Sequence, residues 1–142
     1  MMFKKTLFIL VSFFCSLSVL AENVVVIVNA SNKQALSADA VKGIYSDNVI
    51  QWKNGSSIKA YDLPTKQQAR EIFSQKVLGI SAKASAKAWA NRKITNTAKN
   101  PPKTKKEKLV VSFVRKNKNA IGYVSESAIK GKKGVKVVMT LK

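Results

Sequence analysis

The sequence predicts an α/β domain, a mostly parallel sheet flanked by helices. Two observations lead there. Apolar runs with strand character alternate along the chain with runs that repeat at helical spacing. The stretch Asn23 to Asn29 (Asn-Val-Val-Val-Ile-Val-Asn) has no polar alternation, the mark of a strand buried on both faces.

The elements follow in order. Ala30 to Leu36 reads as a polar loop. Ser37 is placed to cap a short helix reaching about Tyr45, with Ala40, Val41 and Ile44 on one side. Asp47 to Ser56 is a loop anchored by Trp52 and turned at Asn54-Gly55. Ser57 to Asp62 is a second strand. Thr65-Lys66-Gln67-Gln68 fits a capping box, and Ala69, Ile72, Phe73 and Val77 give the helix behind it an apolar face that Gly79 ends. An alanine-rich helix bearing Trp89 runs from Ser81 to about Ile94. Asn100-Pro101-Pro102 suits neither a helix interior nor a central strand. Thr104 to Glu107 is a second capping box, with Leu109, Val110, Phe113 and Val114 as the apolar face of its helix. Ala120 to Val124 is a short strand, Ser125 to Lys130 one helical turn, Gly131 to Gly134 a turn, and Val135 to Leu141 the last strand.

Residues 1–21 carry a different pattern. Lys4 and Lys5 precede an apolar run from Thr6 to Leu17, which closes at Val19-Leu20-Ala21. A basic start, an apolar middle and small residues before a cut describe a cleavable secretory signal, with a periplasmic domain of residues 22–142 behind it. The apolar run is shorter than the roughly 20 residues of a spanning helix. No later stretch reads as a membrane span.

Composition restricts the chemistry. The sole cysteine, Cys15, falls within the signal, and there is no histidine, so metal sites and nucleophile systems built on Cys or His are excluded from the domain. Acids are scattered singly, which points away from an enzyme, and nothing calls for a cofactor. The charge is strongly positive. The whole chain carries +19; Lys4 and Lys5 leave with the signal and all 7 acids stay, so residues 22–142 carry +17. Such a domain attracts anions. Lysine dominates over arginine, and only Phe113 lies within the basic Lys99–Lys118 run, an arrangement without the stacking platforms of single-strand nucleic-acid binding. Nucleic acid is therefore not the expected partner.

Ligands of open parallel sheets bind beyond the carboxyl ends of the strands. Three strands end in polar loops, which supply Asn29, Ser31 and Asn32 from the first, Thr65, Lys66 and Gln67 from the second, and Ser125 from the third. Were the strands parallel neighbours, these loops would converge. The helix start at Thr65 offers free N–H groups to an anion, and Arg70 a guanidinium fork one turn further in. The expected ligand is phosphate or another small oxyanion, held without catalysis near the Asn29–Asn32 loop.

Several residues fall in a familiar order: Val28-Asn29 with Ser31-Asn32, Leu36-Ser37 with Val41, Ile44 and Tyr45, Trp52 with Gly55, Phe73 with Leu78-Gly79, Trp89, Pro101-Pro102, and Ala120-Ile121-Gly122-Tyr123-Val124. With these the chain resembles the short phosphate-binding-like proteins of bacterial envelopes, which are similar to one lobe of the substrate-binding proteins of phosphate ABC transporters. The resemblance implies a single lobe of the type II periplasmic-binding-protein kind, export, and a membrane transporter as partner. The larger family carries an Arg and a Ser-Gly-Thr turn at the helix after the second strand. Here that region reads Asp62-Leu63-Pro64-Thr65-Lys66-Gln67-Gln68-Ala69-Arg70, so those ligand residues do not carry over. The alternative reading is an interaction protein with a degenerate pocket, which meets an anionic envelope component through its lysine-rich surface.

Overall fold

In a computed structural model that describes residues 22–142, five strands form one sheet, in the order β3-β2-β4-β1-β5. The expected signal segment 1–21 lies outside the described residues. Strand β1 (Val24–Asn29) is buried along its whole length between β4 (Ala120–Ser125) and β5 (Val135–Leu141). Strand β2 (Lys59–Asp62) pairs with β4 and with β3 (Lys103–Thr104) at the sheet edge. Both of those pairs are parallel, whereas β1 is antiparallel to both its neighbours. Four strands therefore run one way and β1 runs against them. The expectation of a mostly parallel sheet holds for those four and fails for the first strand. An unbroken β-branched run reports burial on both faces and carries no information about direction.

Helices cover both faces, as neighbouring residues of β4 show. A Cβ placed on Gly122 would point at Val110 and Val114 of α4 (Glu107–Lys116). The next residue, Tyr123, stacks on Phe73 of α2 (Gln68–Phe73), with ring centroids 3.8 Å apart, and meets Tyr45 of α1 (Ala38–Tyr45) edge-on. Alternate strand residues face opposite sides of a sheet, so α4 lies on one side and α1 with α2 on the other. On the α4 side, Phe113 stacks on Tyr61 at 5.2 Å. The inward residues of α4 include Val110, Val111 and Val114. Leu109, expected in the apolar face, is 46% exposed.

The expected cap at Ser37 forms, and Ser81 supplies a further one. Ser37 accepts from the Ala40 N–H, and Ser81 accepts from the Ala84 N–H at the start of α3 (Ala82–Ile94). Ser81→Ala should therefore lower stability by about 1 kcal/mol, measurable by urea unfolding. The two expected capping boxes do not form. The residue before α2 is Gln67 and that before α4 is Lys106, and neither gives a side-chain cap. Thr104 is instead drawn into β3, and the Lys105 N–H bonds the Asp62 carbonyl. Glu107 turns away to accept both the N–H and the hydroxyl of Ser125, each at 2.7 Å. At the second box, tertiary partners replace the local ones. Helix α2 runs on into a single π-helical turn (Ser74–Leu78) and ends at Gly79, whose φ of 71° lies in the left-handed region open to glycine.

The loop anchors are as expected. Trp52 is buried, with its indole N–H on the Asn119 carbonyl, and Gly55 takes a φ of 84° in the following turn. A 3₁₀ turn (Glu126–Ile129) and a bend containing Gly131 and Gly134 carry the chain from β4 across to β5.

Candidate functional site

Because β1 runs against the other strands, its end and those of β2 and β4 lie at opposite edges of the sheet. Residue pairing makes this explicit: Val28 lies opposite Ile121, near the start of β4, and Val24 lies opposite Ser125, at its end. The expected convergence of the three loops is therefore corrected. Asn29, Ser31 and Asn32 occupy one edge, while Thr65, Lys66, Gln67, Arg70 and Ser125 occupy the other.

The first group has structural work to do. The Asn29 amide donates to the carbonyls of Val114 and Arg115, closing the end of α4, and its oxygen accepts from the N–H and hydroxyl of Ser31. Asn32 accepts from the Gln34 N–H, and its carbonyl takes the Lys136 ammonium. Ser125 is at the right edge, but its hydroxyl is held by Glu107.

At that edge a cleft of about 400 Å³ opens beyond β2. One wall is the Asp62–Thr65 turn with Arg70 behind it, and the other is α3, which contributes Ala86, Trp89, Ala90 and Lys93. Pro101, Pro102 and Thr104 close the end. Positions 86, 89, 90 and 93 are spaced as one face of a helix, and small alanines on that face leave the room the cleft occupies. Thr65 lines this cleft and is exposed; Lys66 lies beside it, in solvent. Gln67 is half-buried, with a buried side-chain oxygen, Oε1, that has no partner among the described residues.

The floor is ionic. Arg70 is only 4% exposed, since its place three residues before Phe73 turns it inward with that ring. Its guanidinium meets Asp62 Oδ1 at 2.9 Å and donates to the Leu63 carbonyl at 2.7 Å and to the Ser85 hydroxyl at 3.3 Å. The same Asp62 oxygen accepts from the Leu63 N–H and from the Tyr123 hydroxyl. This is the one ion pair among the described residues. Burial raises the Asp62 carboxyl above its ordinary range, opposed by Arg70 and by the Tyr123 and Leu63 donors. Burial, with Asp62 adding to it, pushes the Tyr123 phenol well above its ordinary value. The network thus keeps a carboxylate and a guanidinium together at the base of an otherwise neutral cleft, with Lys93 at its rim.

Backbone donors are available beside the cleft, at the start of α2, where Thr65 lines it. Among the described residues, the N–H groups of Thr65, Lys66, Gln68 and Ala69 have no acceptor, since the turn preceding α2 satisfies only that of Gln67. Thr65 and Thr104 add hydroxyls. No cluster of Asp and Glu able to hold a metal exists among the described residues. Sequence reasoning placed Asp62 only in the polar loop after the second strand, and missed Trp89, Lys93 and Thr104. The α3 residues carried a legible signal in their spacing; the Asp62–Arg70 pair, made across a turn, carried none.

A family model described as the PBP superfamily domain matches residues 14–140. Solved structures share the fold. An ABC-type phosphate transport receptor from Vibrio cholerae superposes with a TM-score of 0.62 at 17% identity, over 83% of this chain and 46% of the receptor. PstS from Borrelia burgdorferi gives a TM-score of 0.63 at 12% identity, over 82% of this chain and 46% of its own. The chain spans less than half the length of these neighbours. No curated protein matches it.

Proposed function

The chain belongs to the PBP superfamily domain family, and on that premise we propose that it is an exported, periplasmic, non-catalytic binding lobe for phosphate or a similarly small oxyanion. The ligand enters the cleft between the Asp62–Arg70 turn and α3. The observation that carries this reading is the row of free backbone donors at the start of α2, set beside two threonine hydroxyls and Lys93 and near the buried Arg70. An anion there meets N–H groups at the positive end of a short helix. Resemblance to phosphate-binding neighbours supports the ligand class, and the segment 1–21, with its secretory pattern, supports the location.

One lobe leaves the anion open to water on one side, where each contact is weakened by the high dielectric. Affinity is accordingly modest unless a second surface, such as a transporter subunit, closes over it. The Asp62 carboxylate already occupies part of the Arg70 fork, and this favours a second reading: an interaction protein whose cleft has degenerated and whose lysines meet an anionic envelope component.

Titration calorimetry with inorganic phosphate separates the two. Thr65→Val with Thr104→Val should weaken phosphate binding at least about tenfold, the loss of two hydrogen bonds to a charged group, while the melting temperature stays close to that of the parent. Absence of phosphate heat in the parent, or equal affinity in the double variant, would remove the cleft reading in favour of the second. Arg70 is unsuited to this test, because its removal disturbs the fold itself.

A further inference from the structure

A second concave surface lies away from the cleft and shares no residue with it. Helix α4 and the segment after β4 diverge to leave a groove of about 540 Å³, which continues past Ser112 and Arg115 into a further hollow of about 340 Å³. Three cations come from α4 (Lys108, Arg115 and Lys116) and three from the opposite bank (Lys130, Lys132 and Lys133). None is in an ion pair among the described residues. The single acid on the rim, Glu107, has its Oε1 engaged by the Ser125 N–H and hydroxyl. The floor is small and apolar, from Val111 and Ala128.

This groove is built rather than a scatter of loose lysines. A Cβ on Gly134 would lie 3.5 Å from Cγ and 3.6 Å from Nε of Arg115, so the arginine stem is laid from α4 across onto the turn. Gly134 takes a φ of 90°, which a side chain there would resist. Asn29 fixes the last carbonyls of α4, including that of Arg115, from the far side. The guanidinium thus stands at the junction of the two hollows, with no acceptor for its donors among the described residues.

We propose that this groove binds a linear polyphosphate chain. Six unpaired cations on both banks of one channel attract a line of charge more than a point, since each phosphate neutralised releases counterions from the polymer. Lysine suits phosphate as a point charge, and Arg115 adds a fork for two oxygens of one phosphate. An extended acidic peptide offers less charge along its length and has backbone amides that the groove would leave unsatisfied. The proposal does not rest on the cleft; either site can fail alone.

The test is binding of a medium-chain polyphosphate to the purified protein, followed by calorimetry across a salt series. Lys130, Lys132 and Lys133 are exposed, and their joint replacement by Gln should leave the fold intact. That variant should bind at least tenfold more weakly, with a log–log salt slope shallower by about 2. Arg115→Gln should weaken binding and Arg115→Lys should restore part of it. Replacing Lys33, Lys53 and Lys118 by Gln removes equal charge from another hollow and should change affinity less than about twofold. Thr65→Val should leave polyphosphate binding unchanged whatever it does to phosphate. Equal losses from the two lysine triples would reduce the groove to unspecific attraction and overturn the proposal. Charge-matched polyglutamate binding as tightly as polyphosphate would overturn the phosphate assignment.

Discussion

Arg70→Met is expected to lower the stability of the domain by about 3–5 kcal/mol at neutral pH, the range for removing one partner of a buried ion pair. The methionine keeps most of the stem and its packing. What it removes is the charge opposite Asp62, whose carboxylate is then left buried with only the Leu63 N–H and the Tyr123 hydroxyl. The sign of the pH dependence follows from burial. The folded Asp62 has a raised pKa even with Arg70 present, so the folded state holds its proton to higher pH than the unfolded chain does. The stability this group contributes is present below its ordinary pKa and is lost as pH rises through the folded value. Removing Arg70 takes away a cause that lowers this pKa, so the loss extends to higher pH and grows. The gap between variant and parent should therefore narrow on acidification, when a neutral carboxyl no longer needs the guanidinium. Urea unfolding at neutral pH and at several acidic values measures it. Adding Asp62→Asn to Arg70→Met should recover part of the loss. A gap below 1 kcal/mol, or one independent of pH, would show that Asp62 and Arg70 do not hold each other in place.

That pair also marks where sequence reasoning stops. Beside Glu71 in a run of polar residues, Arg70 reads as a solvated side chain or a ligand fork. Its burial is legible only from its distance to Phe73, and its partner only from the fold of the turn between them. The second capping box fails for the same kind of reason. Thr65 with Gln68 and Thr104 with Glu107 both match the pattern, which is local. Edge pairing takes Thr104, and the end of β4 takes Glu107. Where no tertiary rival exists, as at Ser37 and Ser81, the local pattern holds.

The expected convergence of the three loops fails through one geometric fact. The β-branched run of β1 made its burial plain, and the loop after it is as polar as a ligand loop should be. Yet the antiparallel setting of β1 sends that loop to the far edge, where Asn29 closes α4 rather than meeting a ligand. Strand direction is decided by how the remaining strands pair, and no single segment encodes it. The helix-start residues Thr65 to Arg70 needed no such information, because their position depends only on the short turn after β2. This is why half of the expected site stays together at the cleft and the other half does not.

Gly122 shows the converse, a residue whose identity makes sense only in the packed fold. Within the strand Ala120 to Val124 it lies opposite Ile27 on β1, where a β-branched residue would suit the strand better. A Cβ there would come 2.5 Å from Val110 Cγ1, closer than two carbons can approach, so the glycine sets how near α4 lies to the sheet. Gly122→Ala should consequently cost about 1–3 kcal/mol, as overpacking does in a close-packed core. Relief should come from the helix side. Val110→Ala removes the offending methyl, and the remaining neighbours, Val114 at 3.6 Å and Tyr61 at 3.7 Å, are at ordinary contact distance. Alone, Val110→Ala destabilises by leaving a cavity. Combined with Gly122→Ala it should cost less than the two losses added, by a coupling of about 0.5–3 kcal/mol. Chemical unfolding of the two single variants and the double closes that cycle. Strict additivity would mean that α4 moves away from the sheet at little cost, and that the glycine is not what fixes their separation.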